Sequence, residues 1–266
     1  VRRMKIAVTG HVGKIGSQLV KRGYTPIYCD IRNVEQTLDT VSSVNPDVII
    51  HCAAMTNVGW CEDNEKEAYK VNARSVSHVL EAFAGRFIYL STVHVFDGTK
   101  YWDYSEKHVP NAVNVYGLTK LAGEQVVKLW DNPYTIVRIS RTFDENSLSA
   151  HLDDLQNVGE LDFPTFIKRS FVHTEHLVEG IAHVAENDLD VDLLNVSGTD
   201  TLSYYQFWLQ AAKVFGIDEN RIIPRKQEIK EYPRPFRGGL NVRKAKKLGV
   251  PLYSAADGLE LIKGRM

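Results

Sequence analysis

The chain is expected to fold as an α/β protein, a Rossmann-like doubly wound parallel sheet with a small C-terminal substrate lobe. Three observations carry that expectation. Short apolar runs alternate with amphipathic helical stretches over the first two-thirds of the sequence. The runs are continuous in apolarity rather than alternating, which suits strands buried on both faces and hence a parallel sheet flanked by helices. The first run ends in a glycine-rich turn.

Residues 4–9 (MKIAVT) form the first expected strand, and TGHVGKIG leads from it into a helix. Residues 26–29 (PIYC), 47–52 (DVIIHC), 87–91 (FIYLS) and 135–139 (TIVRI) are short and rich in β-branched or aromatic residues, so they are the next strands. Residues 65–84 and 115–129 carry apolar residues at three- and four-residue spacing and are expected helices. LLNVSG (193–198) is one more strand and 203–215 one more helix. Residues 142–168 are polar and irregular, and YPRPFRGG (232–239) is a proline-marked loop. The division that follows is a dinucleotide-binding core of 1–141 plus about 169–198, with a lobe assembled from 142–168 and 199–266. A long active-site loop is the alternative to a lobe, since such segments inside compact domains are usually functional.

Composition narrows the class. A chain of 266 residues can bury a sizeable core. The net charge of −1 gives no electrostatic footprint for nucleic acid or an anionic membrane. The three cysteines, Cys29, Cys52 and Cys61, have no metal-ligand spacing, and their odd number argues against a secreted disulfide framework. No run of eighteen apolar residues occurs, so a soluble, cytoplasmic protein with no metal is expected.

In TGHVGKIG the glycines Gly10, Gly13 and Gly16 recur every three residues. A strand entering a helix through such a turn aims backbone N–H groups and the helix dipole at a pyrophosphate. One glycine makes the turn, another admits the cofactor backbone, and the third lets helix and sheet pack closely. His11, Val12, Lys14 and Ile15 complete the turn as cofactor-binding candidates. Asp30 ends PIYCD, where an acidic residue commonly accepts ribose hydroxyls, and Ile31 lies beside it. Arg32 could instead meet a 2′-phosphate, so the choice between NAD and NADP stays open with a slight lean to NAD. Asp30 as N-cap of a helix starting near residue 33 is the structural alternative.

NVYGLTK places Tyr116 and Lys120 four residues apart, on one helix face. A free phenol near pKa 10 is a poor proton donor or acceptor at neutral pH. A nearby ammonium lowers that value toward the useful range, so the pair is expected to act as a proton-transfer device. Lys120 could also hydrogen-bond a nicotinamide ribose. The device needs a hydroxyl to hold the substrate oxygen, and Ser91 and Thr92 lie at the carboxyl end of a core strand, where open α/β sheets bind ligands.

With these motifs in this order the chain resembles the extended short-chain dehydrogenase/reductases, and within them the dTDP-4-dehydrorhamnose reductases. The resemblance is carried by TGHVGKIG, PDVIIHCAAMTNV, the YKVNA around Asn72, STVHVFDG, YSEKHVPNAVNVYGLTKLAGE and RPFRGGLN. It implies reduction of the C4 ketone of a 4-keto-6-deoxy sugar nucleotide with NADH or NADPH. Tyr116 would give the proton, Thr92 would hydrogen-bond the same oxygen, and Lys120 would orient the cofactor ribose. Cys52, Ala53, Ala54 and Thr56 would line the cofactor, with Asn72 and Ser91 supporting it. Val58, Arg141 and Arg234 fall where the family's substrate contacts lie. A homodimer paired through helices beside the active-site helix is a further implication.

The chain also departs from that pattern. Val93 and His94 follow Thr92 where the family has Asp and Tyr, and Arg141 stands at a tryptophan position. Beside Val95 and Phe96, His94 reads as a packed histidine rather than a proton donor. The short span before PDVII implies a third strand that is missing or merged. A sugar-nucleotide epimerase with tightly bound NAD and a non-catalytic, cofactor-binding regulatory subunit are the alternatives. A 4,6-dehydratase fits less well, because Val93 and His94 offer no acid–base pair.

Overall fold

The structure, a computed structural model, describes residues 4–157, 159–226 and 232–266. The expected lobe over 199–266 therefore includes five positions, 227–231, that lie outside the described residues. Six parallel strands form the central sheet: β1 (Ile6–Thr9), β2 (Thr25–Pro26), β3 (Val48–His51), β4 (Arg86–Thr92), β5 (Tyr134–Ile139) and β6 (Leu193–Asn195). Their spatial order is β6-β5-β4-β3-β1-β2. A doubly wound sheet of order 3-2-1-4-5-6 would carry one more strand outside β2. Here the helix Val34–Val44 leads from β2 straight to β3, so that outer strand is absent among the described residues, as the short span implied.

Both faces of the sheet are covered. Ile6, Val8, Val48, Ile50, Ile88 and Leu90 point to one side, against Leu177, Ile181 and Val184 of the helix Thr174–Glu186. Ala7, Ile49, Phe87 and Tyr89 point to the other, against Val41, Val76, Val79 and Val127. This is the period-two alternation of a strand with apolar layers on each side, and it explains why the runs look continuous in sequence.

Several expectations change in detail. The strand expected at 26–29 shrinks to Thr25–Pro26, because Pro26 has no N–H to donate and β2 sits at the sheet edge. The helix expected at 65–84 is two helices, Glu65–Tyr69 and Ser75–Glu81, joined by a π-helical turn at Lys70–Arg74. Asn33, not Asp30, caps the helix Val34–Val44: its side chain accepts from the Gln36 N–H at 3.1 Å.

Residues 142–168 are not irregular. They hold the strand Arg141–Phe143, the helix Glu145–Asn157 and the strand Leu161–Pro164. That helix buries only Leu148, Leu152 and Leu155, a narrow stripe that a polar surrounding sequence hides. The three leucines join Phe143, Phe163, Phe171, Phe207, Trp208 and Leu259 in an apolar cluster separate from the two sheet layers. Ser203 caps the helix Tyr204–Phe215 in a reciprocal capping box with Gln206. Within 232–239, Arg237–Gly238 forms a strand that pairs with Lys168–Arg169. Among the described residues, no helix is long and apolar enough to cross a membrane.

Candidate active site

The carboxyl ends of β1, β3 and β4 open onto one cleft, and glycines shape its walls. Gly10 follows β1 with φ +66°, a conformation that disfavours any side chain. A Cβ there would stand 2.6 Å from the Ala53 nitrogen, so the turn is pressed against the chain leaving β3. A Cβ on Gly16 would stand 2.2 Å from the Gly10 carbonyl oxygen, which holds the helix Lys14–Lys21 close to the turn. Gly13 is the N-cap of that helix and leaves its first N–H groups facing the cleft.

The active-site helix, Val115–Lys128, is brought in by two further glycines. A Cβ on Gly117 would meet the His94 carbonyl oxygen at 2.1 Å, and one on Gly123 would meet Tyr89 Oη at 2.1 Å. Asn114 caps this helix, accepting from the Gly117 N–H at 2.8 Å, while its amide nitrogen reaches His94 Nδ1 at 3.1 Å and the Pro233 carbonyl at 3.0 Å. One side chain thus ties the helix start to the end of β4 and to the loop that carries Arg234.

Thr92 ends β4 and Tyr116 sits in the first turn of the helix, and both side chains line one cavity, where the Thr92 hydroxyl favours the ionised form of the Tyr116 phenol. Burial pushes the Tyr116 phenol up to about 12, opposed by the Thr92 hydroxyl and reinforced by the Cys61 thiol. The expected lowering of this phenol by Lys120 is therefore not what the site shows. Lys120 is 2% exposed and its ammonium lies over the Tyr89 ring, 3.9 Å from the centroid. Burial lowers it to about 7, against the carboxylate of Glu124, which raises it. Desolvation disfavours the charged form of both groups and is the largest cause of each shift.

One cavity of about 440 Å³ gathers most of the expected residues. Gly10, Gly13, Lys14, Ile15 and Gly16 line it, together with Cys52, Ala54, Thr56 and Val58. Thr92, Tyr116, Arg141 and Arg234 line it as well. His94 lines it too, with its ring edge-on to Tyr116 at 5.3 Å. Burial and the nearby Arg169, Arg234 and Arg141 push this histidine down to about 3, so it is neutral and has no proton to give at neutral pH.

Arg169 was not singled out in the sequence. It is 4% exposed, lines the same cavity, and is lowered to about 10 by burial and by the neighbouring arginines. The charged Lys168–Arg169 pair, separated by Ser170 from the strand-like FVH of 171–173, was the available signal. Arg141, Arg169, Arg234 and Tyr204 also line a second cavity of about 480 Å³, whose wall includes His151, Phe163 and Trp208. Phe163 and Trp208 stack at 4.9 Å, and His151 lies 5.1 Å from Trp208.

The remaining candidates lie outside the cavity lining. Ser91 projects to the opposite face of β4 from Thr92 and donates to Glu124 Oε1 at 2.6 Å. Asn72, in the π-helical turn, bonds the Met55 N–H at 2.8 Å, the Met55 carbonyl at 2.9 Å and Thr119 Oγ1 at 3.0 Å. It therefore braces the loop after β3 against the active-site helix. Ala53 backs the Gly10 turn, and Val12 is 85% exposed on its outside. The His11 ring packs edge-on to Tyr28 at 4.4 Å. Ile31 is buried in the sheet layer. Asp30 and Arg32 are joined by a two-pronged ion pair, with Arg32 Nη2 2.7 Å from Asp30 Oδ2 and Nε 2.9 Å from Oδ1. The lean toward NAD assumed a free Asp30 carboxylate. That carboxylate is instead occupied by Arg32, which holds it below its usual range.

Residues 4–261 match the family described as the RmlD substrate binding domain. A dTDP-4-dehydrorhamnose reductase of Escherichia coli (strain K12) is 30% identical over 235 residues, covering 80% of this chain and 77% of that protein. One from Mycolicibacterium smegmatis is 26% identical over 252 residues, covering 88% of this chain and 76% of the other. The crystal structure of a dTDP-4-dehydrorhamnose reductase from Bacillus anthracis, in complex with NADP, is similar with a TM-score of 0.91 at 26% identity over 100% of both chains. With the fold, the strand-end threonine and the Tyr-x-x-x-Lys helix in place, the chain belongs to the RmlD substrate binding domain family of extended short-chain dehydrogenase/reductases.

Proposed function

We propose that this protein reduces the C4 ketone of a 4-keto-6-deoxy sugar nucleotide, the reaction type of its dTDP-4-dehydrorhamnose reductase relatives, using a nicotinamide dinucleotide. The observation that carries the reading is one cavity lined together by the glycine turn, by Thr92 and Tyr116, and by Arg141, Arg169 and Arg234.

The turn suits a pyrophosphate. Gly13 has no side chain to fill the space before the helix N-terminus, where N–H groups face the cleft. When bound, the reduced nicotinamide supplies a hydride. Thr92 and Tyr116 hold the ketone oxygen, and Tyr116 delivers its proton as that oxygen gains negative charge. A phenol raised to about 12 is fully protonated at neutral pH. An alkoxide is a stronger base still, so the transfer runs downhill without any lowering of the phenol. Lys120 lies behind the cavity lining, over the Tyr89 ring, and adds positive charge there while it stays protonated, below a pH of about 7. His94, neutral and packed on the Tyr116 ring, holds that ring in place.

Arg141, Arg169 and Arg234, which line both cavities, meet the substrate's diphosphate, where forked guanidinium groups are matched to phosphate oxygens. The His151, Phe163 and Trp208 wall takes the nucleotide base by stacking. NADPH is the better-supported donor, because Asp30 is occupied and a relative holds NADP. The test is oxidation of NADPH and of NADH against a panel of 4-keto-6-deoxy sugar nucleotides. Turnover with at least one substrate is expected. Protein that retains NAD and consumes no added cofactor would contradict the reductase reading and favour an epimerase.

A further inference from the structure

The active-site helix carries a third polar side chain on the face of Tyr116 and Lys120, one turn further on: Glu124. It is 0% exposed. A carboxylate so placed requires partners, and it has three bonds to the two strands beneath the site. Ser91 Oγ donates to Oε1 at 2.6 Å, Arg138 Nε to Oε1 at 2.8 Å, and Arg138 Nη2 to Oε2 at 2.6 Å. Ser91 and Arg138 are directly paired across β4 and β5, one residue before Thr92. The forked contact fixes the carboxylate in position and orientation.

Stability alone gives little reason to keep this arrangement, because well-packed apolar residues commonly replace a buried ion pair with no loss. Its surroundings point to another role. Lys120 is faced by His51 and Cys52 from the end of β3, by Tyr89 from β4, and by Tyr116 and Glu124 from its own helix. Burial keeps His51, Cys52, Tyr89 and Tyr116 uncharged at neutral pH. Glu124, ion-paired with Arg138, is the carboxylate that acts on the lysine. Tyr89 supports the same geometry, since its hydroxyl donates to the Lys120 carbonyl at 3.3 Å while its ring faces the ammonium.

We infer that Glu124 is a positioning residue: held by Ser91 and Arg138, its carboxylate is the buried counter-charge that favours the ammonium form of Lys120 over the Tyr89 ring. Its consequence for turnover rests on the reductase reading, whereas its effect on Lys120 does not.

The test follows the Lys120 ¹³Cε resonance with pH, assigned by its loss in Lys120→Met, in the full chain. Ser91→Ala is the control that removes a hydrogen bond and keeps the charge. Glu124→Gln removes the charge, and Glu124→Gln with Arg138→Met removes the pair together should the single variant fail to fold. Lys120 is expected to titrate near 7 in the wild type and in Ser91→Ala. In the folded Glu124 variant it is expected roughly one to three pH units lower, with the pH profile of kcat/KM moving the same way. An unchanged Lys120 titration in a folded Glu124 variant overturns the inference. A shifted titration in a protein that reduces no sugar nucleotide leaves the inference standing and overturns the reductase reading instead.

Discussion

The Lys120 ammonium lies 3.9 Å from the centre of the Tyr89 ring, so the cation of the Tyr-x-x-x-Lys helix rests on an aromatic face supplied by the sheet. That contact depends on Gly123, which lets the Tyr89 hydroxyl approach the helix and donate to the Asn72 carbonyl at 3.0 Å.

Gly123→Ala is therefore expected to destabilise the fold by about 1–3 kcal/mol, the cost of overpacking a filled interior. Tyr89→Phe removes the nearest of the three atoms that the new methyl would strike, leaving the Asn72 carbonyl oxygen at 2.5 Å and the ring carbon Cζ at 2.8 Å. The double variant should lose less stability than the two single losses combined, as read from denaturant midpoints. Additive losses would contradict the packing account.

Tyr116→Phe keeps the ring against His94 and removes the transferable proton. The expected result is a fall in kcat of roughly 10²–10⁴ with little change in cofactor affinity, because the hydroxyl acts mainly in the transition state. Steady-state kinetics together with fluorescence titration of cofactor checks both halves.

Arg32 is half exposed and already oriented by Asp30. A 2′-phosphate would gain a charged hydrogen bond from it, which a plain ribose would not. Arg32→Ala should raise the KM for NADPH about tenfold, equivalent to about 1.4 kcal/mol, and leave that for NADH nearly unchanged. Equal effects on the two cofactors would remove Arg32 from the site.

Stability should fall on the acid side. Burial depresses His51 and His94 from an ordinary 6.5 to about 3. Between those values the unfolded chain binds protons that the folded chain excludes, so folding free energy is lost as pH drops from 6.5 toward 3. Asp97, held below its usual range by Thr99, Tyr104 and Asn111, adds to the loss only below about 3.8. On the alkaline side Lys120, lowered from 10.5 to about 7, makes stability rise over that interval. Denaturant titrations at several pH values check the signs, and His51→Asn should flatten the acid slope.

The parts of this architecture that sequence reading reaches are those where one local pattern has one physical cause. Strands buried on both faces betray themselves by unbroken apolarity, and the glycine turn by its spacing. The helix Glu145–Asn157 does not, because three leucines are its whole buried stripe. Arg169 joins Arg141 and Arg234 only in the folded chain, where the three line one cavity, a relationship that no local spacing encodes. Tyr116 and Lys120 share a helix face as expected, yet the state of each is set by depth and by partners from other elements, Thr92 for one and Tyr89 and Glu124 for the other. Position on a helix is legible in sequence, whereas dielectric surroundings are not.

The most direct measurement uses NADPH deuterated at the transferable C4 position of its nicotinamide. A 4-keto-6-deoxy sugar nucleotide is incubated with the protein and the product is read by mass spectrometry and NMR. One deuterium at C4 of the sugar is expected, with equimolar oxidised cofactor. A product altered in stereochemistry but free of label, or an unchanged substrate, would contradict the account.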